Sequence, residues 1–117
     1  MSSRRAERVA EAVREVVADL LLREIKDPRV GMITVTSVDI SPDLKHAKVY
    51  FSSVGDAAAH QRSLSGLRSA AGFIRAQVTR RLQLRRAPEL TFAFDPSLEM
   101  AERLAALLKD AAPKDGV

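Results

Sequence analysis

Between Gly55 and Pro88 the chain places seven arginines, Arg62, Arg68, Arg75, Arg80, Arg81, Arg85 and Arg86, against one acidic residue, Asp56. Guanidinium groups stay charged at any relevant pH and bond phosphate oxygens through paired N–H donors. Gathered without acids, they bind polyanions rather than make or break bonds. The segregation is sharp. The formal charge of the chain is +4, residues 57–88 carry +7, and the remainder, 12 basic against 15 acidic, sums to −3. A positive field confined to one segment of a slightly acidic body is expected where a folded protein meets nucleic acid.

Other chemistry finds little support. His46 falls at an outward strand position and His60 early in a helix, and neither has a second ligand at metal spacing. Glu99 and Glu102 share a helix face, but Arg103 follows and no pocket is indicated. There is no phosphate loop, dinucleotide-binding glycine pattern or nucleophile elbow. No catalytic residue, metal site, cofactor or small-molecule substrate is therefore expected. Low aromatic content, four Phe, one Tyr and no Trp, argues against binding single strands mainly by base stacking.

The elements that must position the arginines read as follows. Residues 3–24 place Val9, Val13, Val16, Val17, Leu20 and Leu21 at helix spacing, and the helix should stop before Pro28. Gly31 opens a β segment to Ile40 whose alternation changes phase, Ile33 and Val35 then Val38 and Ile40, as a bulge near Thr36 and Ser37 would produce. Ser41-Pro42-Asp43 is a turn signal, and residues 45–53 alternate as a second, antiparallel strand. Asp56 is a cap for the second helical region. Gly72 interrupts it, and the spacing predicts a bend at Ala70-Ala71-Gly72 between two helices, the second carrying Ile74, Val78 and Leu82 inward. Leu90, Phe92 and Phe94 alternate as a third strand. Asp95-Pro96 starts a last helix whose core face would be Leu98, Ala101, Leu104, Ala105 and Leu108.

The expected fold is α+β: one domain over residues 1–110 with a short flexible tail over 111–117, in the order α-β-β-α-(bend)-α-β-α. Helices would cover one face of a three-stranded sheet. At 100° per residue, Arg75, Thr79, Gln83 and Arg86 share a polar stripe, Arg80 points elsewhere, and Arg81 and Arg85 border the apolar face. A helix starting at Gly72 would direct free N–H groups outward and let a sugar-phosphate backbone approach closely. A solvated arginine-rich face with a packing glycine is the bland alternative. Arg4, Arg5 and Arg8, in the first turns of the first helix, oppose its dipole and are either a secondary phosphate contact or a loosely ordered terminus. Lys45 and Lys48 either extend the patch or protect an edge strand.

Cysteine is absent, so disulfides and thiolate metal sites are excluded. No apolar stretch is long enough for a membrane span and no leader opens the chain, so a cytoplasmic location without membrane contact is expected.

The block Ala70-Ala71-Gly72-Phe73-Ile74-Arg75, the basic run ending at Arg86, and Pro88-Glu89-Leu90-Thr91-Phe92 resemble the bacterial ribosome-binding factor A family. So do residues 25–29, 33–38 and 43–50, and the similarity covers about residues 4–110. The resemblance implies a type II KH-like domain with an Ala-x-Gly kink, here Ala70 and Gly72, in place of the usual Gly-x-x-Gly loop. It further implies a non-catalytic assembly factor of the free 30S subunit. Such a factor assists late maturation of 16S rRNA, including its 5′ end, and growth in the cold.

On this reading a monomer docks on the immature subunit. Arg68, Arg75, Arg80, Arg81, Arg85, Arg86 and Lys45 would meet rRNA phosphates, and Gly72 would admit the backbone. A protein–protein adaptor using the arginine helix against an acidic partner is the competing class. A small nuclease is a third, weakened by the lack of carboxylates beside the patch.

Overall fold

The computed structural model describes residues 4–26, 28–30 and 33–111. The first element, α1 (Arg4–Arg23), buries Ala6, Ala10, Val13, Val17 and Leu20, one per turn along a single stripe. Val9, Val16 and Leu21 flank that stripe, partly buried. Alanine at its leading end lets α1 approach strand β1 closely, since no long side chain intervenes.

β1 (Ile33–Ile40) and β2 (His46–Ser53) pair antiparallel. Val35 faces Phe51 and Ser37 faces Tyr50, so Thr36 is the extra residue of a bulge where the alternation of the sequence changes phase. The connecting turn is held by side chains. Asp43 accepts from the Ser41 hydroxyl (2.6 Å) and the Lys45 N–H (3.0 Å), which holds its carboxyl below the usual range. Leu44 completes the turn at φ 62°. The expected strand opening at Gly31 and Met32, and residues 112–117 of the expected tail, lie outside the described residues.

The next helix, α2 (Ala57–Arg81), is capped by Asp56, whose carboxylate accepts from the Ala59 N–H at 2.9 Å. It runs unbroken through Ala70, Ala71 and Gly72, which corrects the expected division into two helices. The reason is energetic. A glycine inside a helix costs about 1 kcal/mol, whereas Leu64, Leu67, Ile74 and Val78 are buried on both sides of it and each contributes more. The chain then returns as β3 (Glu89–Phe94), parallel to β2, in a mixed sheet of order β1-β2-β3. Parallel neighbours need a long crossover, and α2 supplies it.

One core results. Val35, Val49, Phe51 and Phe92 from the sheet meet Val13, Val17 and Leu20 of α1 and Leu64, Leu67, Ile74 and Val78 of α2. Helices α1 and α2 thus cover one sheet face, as expected. The last helix, α3 (Pro96–Ala111), does not join them. Leu104 and Leu108, expected as core, are 55% and 60% exposed, and Ala105 is exposed too. The side chains of Leu98 and Ala101 lie outside the described set.

Candidate nucleic-acid interface

Position on α2 decides what each arginine can do. Arg81 follows buried Val78 by three residues and Ile74 by seven, so it leaves the helix on the inward side. There it meets α1: its guanidinium donates to Asp19 at 2.8 Å and Glu24 at 3.1 Å. Asp19 also pairs with Arg23 at 2.7 Å. The Arg81 hydrogen bond, more than the neighbouring charges, holds the Asp19 carboxyl below the usual carboxylate range. Arg81 therefore ties the last turn of α2 to the last turn of α1, so the guanidinium expected to meet phosphate is held by two carboxylates.

Arg75 is also engaged. Its Nε donates to the Pro88 carbonyl and its Nη2 to the Ala87 carbonyl, both at 2.9 Å. This clamp shapes the loop of residues 82–88, on which Arg85 and Arg86 stand exposed. The start of the loop is a left-handed helix end. Gln83 sits at φ 52°, its N–H donates to the Arg80 carbonyl (3.3 Å), and the Leu84 N–H donates to the Thr79 carbonyl (3.0 Å).

Arg68, Arg80, Arg85 and Arg86 are exposed and make no ion pair with the described residues, and Arg62 joins them. Arg62 and Arg80 are eighteen residues apart, five full turns, and so share one flank of α2. Arg68 and Arg75 share the other flank. Between the two rows the outermost line of the helix is Ser65, Ser69, Gly72 and Ala76, all exposed and all small. A Cβ added at Gly72 would meet nothing within 4 Å. The outward face of α2 is thus a low ridge with cations along both sides and no acid. Phe73, 40% exposed, lies beside the Arg62–Arg80 row.

The loop and the first turn of the sheet close up beside this face. The Glu89 N–H donates to the Lys45 carbonyl at 2.8 Å, so exposed Lys45 stands next to the segment that Arg75 clamps. The first half of α1 lies along residues 36–40 through Ala6, Glu7, Ala10, Glu11 and Arg14, and Arg4, Arg5 and Arg8 are exposed on the same helix. Lys48 lies on the open sheet face with its ammonium 5.6 Å from the Tyr50 ring.

The histidines have structural surroundings. His60 packs on Phe94 at 4.7 Å between ring centroids and lies 3.2 Å from the Ser53 carbonyl. His46 is an exposed strand residue. Among the described residues, no group of three His, Cys, Asp or Glu could hold a metal ion, and no helix is long and apolar enough to cross a membrane.

Sequence reasoning passed over Gly66. It is buried, and an added Cβ would lie 2.6 Å from Val30 Cγ2, because the segment after α1 crosses α2 there. It also passed over the ridge of Ser65, Ser69 and Ala76. The signal was available as small residues recurring at steps of four, three and four through Gly72.

The family model described as ribosome-binding factor A matches residues 5–108. The chain is 48% identical to the ribosome-binding factor A of Natranaerobius thermophilus, over 93% of this chain and 83% of that protein. It is 43% identical to that of Geobacter metallireducens, over 97% and 96%.

Among solved structures, the crystal structure of ribosome-binding factor A from Thermus thermophilus superposes with a TM-score of 0.66 at 25% identity, covering 75% of this chain and 93% of that one. A homology model of the Thermus thermophilus protein, fitted into a cryo-EM map of its complex with the 30S subunit, superposes with a TM-score of 0.62 at 25% identity. That superposition covers 74% of this chain and 91% of that one. From the family match and the identities to these relatives, the chain belongs to the ribosome-binding factor A family.

Proposed function

We propose that this protein is a non-catalytic assembly factor that binds the free 30S subunit through the phosphates of 16S rRNA. The observation that carries the reading is the outward face of α2, an acid-free ridge lined by unpaired arginines. In support, a homology model of a relative was fitted into a cryo-EM map of a complex with the 30S subunit. Arg68, Arg80, Arg85 and Arg86, with Arg62 and Lys45, contact phosphate. Gly72 and its small neighbours admit the sugar-phosphate backbone, and Arg4, Arg5 and Arg8 are secondary contacts. Arg75 and Arg81 act indirectly, by shaping the loop and seating the helix. The protein acts as a monomer in the cytoplasm, holding a local rRNA conformation late in 30S maturation, including processing of the 16S 5′ end and in the cold.

The test is co-sedimentation with free 30S subunits. Arg68→Glu, Arg80→Glu and Arg86→Glu together should abolish it with the melting temperature unchanged; retained sedimentation would remove this face from the interface. Affinity should fall steeply with salt, because each neutralised phosphate releases counterions. Arg81→Glu is a different experiment. It sets a carboxylate against Asp19 and Glu24, and the melting temperature should fall.

A further inference from the structure

Among the described residues, helix α3 leaves the apolar face of its second half uncovered. Leu104, Leu107 and Leu108 are 55%, 66% and 60% exposed, and successive positions at 100° place all three within about 100° of arc. The root of the helix is fixed. The Asp95 N–H donates to the Phe51 carbonyl at 2.9 Å, and the Asp95 carboxylate accepts from the Ser97 N–H at 2.8 Å.

Beyond the separate side chains of Leu22, Val54 and Phe73, the described body offers this face no apolar seat. The helix side of the sheet is filled by α1 and α2, and the open side presents exposed Thr34, Ser37, Asp39, His46, Lys48 and Thr91. A second copy does not suffice either. Three partly exposed leucines present on the order of a few hundred Å², against the roughly 800 Å² per partner of a stable interface. Nucleic acid is also disfavoured. α3 carries Glu99, Glu102 and Asp110 against Arg103 and Lys109, a net −1 opposite in sign to the α2 segment.

We infer that the leucine face of α3 docks in an apolar groove of a ribosomal protein on the particle whose RNA the α2 face holds. The inference rests on the RNA-binding reading above. An apolar contact too small to hold alone suffices when the arginine face already anchors the protein. A tether as short as Asp95 makes the second contact intramolecular, at an effective concentration in the millimolar range. Self-association has no such first anchor.

The experiment compares the full chain with the variant Leu104→Gln, Leu107→Gln, Leu108→Gln on two targets at one salt concentration: intact 30S subunits and protein-free 16S rRNA. Glutamine preserves helix propensity. The expected result is a loss of roughly tenfold or more on the subunit, unchanged binding to the free RNA, and unchanged melting temperature and sedimentation. Equal binding of both chains to the subunit overturns the inference, and so does an equal loss on free RNA. A lower melting temperature in the variant would show that α3 packs on its own body, and a leucine-dependent dimer would make the occupant a second copy; either result also overturns it. If the unaltered chain binds neither target, the RNA-binding reading itself fails, which is a distinct outcome.

Discussion

Helices α2 and α3 both carry apolar residues at helical spacing, yet α2 buries Leu64, Leu67, Ile74 and Val78 while α3 leaves Leu104, Leu107 and Leu108 in solvent. The difference lies in what remained to be covered. β3 is short and its helix side already lies under α2, so a third helix finds no free apolar sheet surface. Within α2 the same contrast recurs between adjacent residues. Arg80 is free, whereas Arg81, one step of about 100° further round, lies against two carboxylates of α1. Periodicity says which residues share a face; only the neighbouring elements say what that face meets.

The sharpest way to break the contrast between helices is truncation. Leu67→Ala should cost about 3 kcal/mol, whereas Leu107→Ala should stay within about 0.5 kcal/mol, both by urea denaturation. Comparable losses would mean that α3 belongs to the folded core.

The two glycines of α2 extend the comparison with opposite signs. Gly66→Ala drives a methyl group to 2.6 Å from Val30 Cγ2 and should cost about 1–3 kcal/mol. Gly72→Ala meets nothing within 4 Å and should add up to about 1 kcal/mol. It should also weaken rRNA binding if the backbone approaches there. A destabilising Gly72→Ala would contradict an unbroken helix.

Gln83→Gly should stabilise by about 0.5–1 kcal/mol, because glycine has no side-chain penalty at φ 52°. A thermal melt that moves downward instead would place an unseen contact on the Gln83 side chain.

The smallest effects separate the engaged arginines from the free ones. Arg75→Ala should weaken subunit binding in the unaltered chain but add little once Arg85 and Arg86 are alanine, since it acts through their loop; full additivity in that cycle would make it a direct phosphate contact. The Arg81–Asp19 pair should show in acid. Asp19 has a folded-state pKa below its unfolded one, so the pair stabilises fully at neutral pH. That contribution is lost as pH falls below the usual carboxylate range toward the lowered folded value. Arg81→Met should flatten this part of the acid unfolding curve, and Arg80→Met should leave it unchanged.

Local signals were legible in the chain itself. The valine and leucine stripe of α1, the phase change at Thr36, the Asp56 cap and the acid-free run of arginines are all written in residues close in sequence. The parallel placement of β3 was not legible, because a crossover as long as α2 permits a parallel neighbour without requiring one. The expected break at Gly72 failed because a propensity of about 1 kcal/mol is weaker than the burial on either side of it.

What the sequence by itself determined is the class, the run of elements apart from the division at Gly72, and the segment that carries positive charge, since each depends on spacing and composition along a few turns. Only the tertiary structure decided which arginines face out. Arg81 is separated by 62 positions from Asp19, and Arg75 by 13 from the Pro88 carbonyl it holds. Contacts across such separations depend on how helices cross and strands register, and no local pattern encodes that. The same holds for Gly66 under Val30 and for the open face of α3, both set by which surfaces the rest of the chain had already covered.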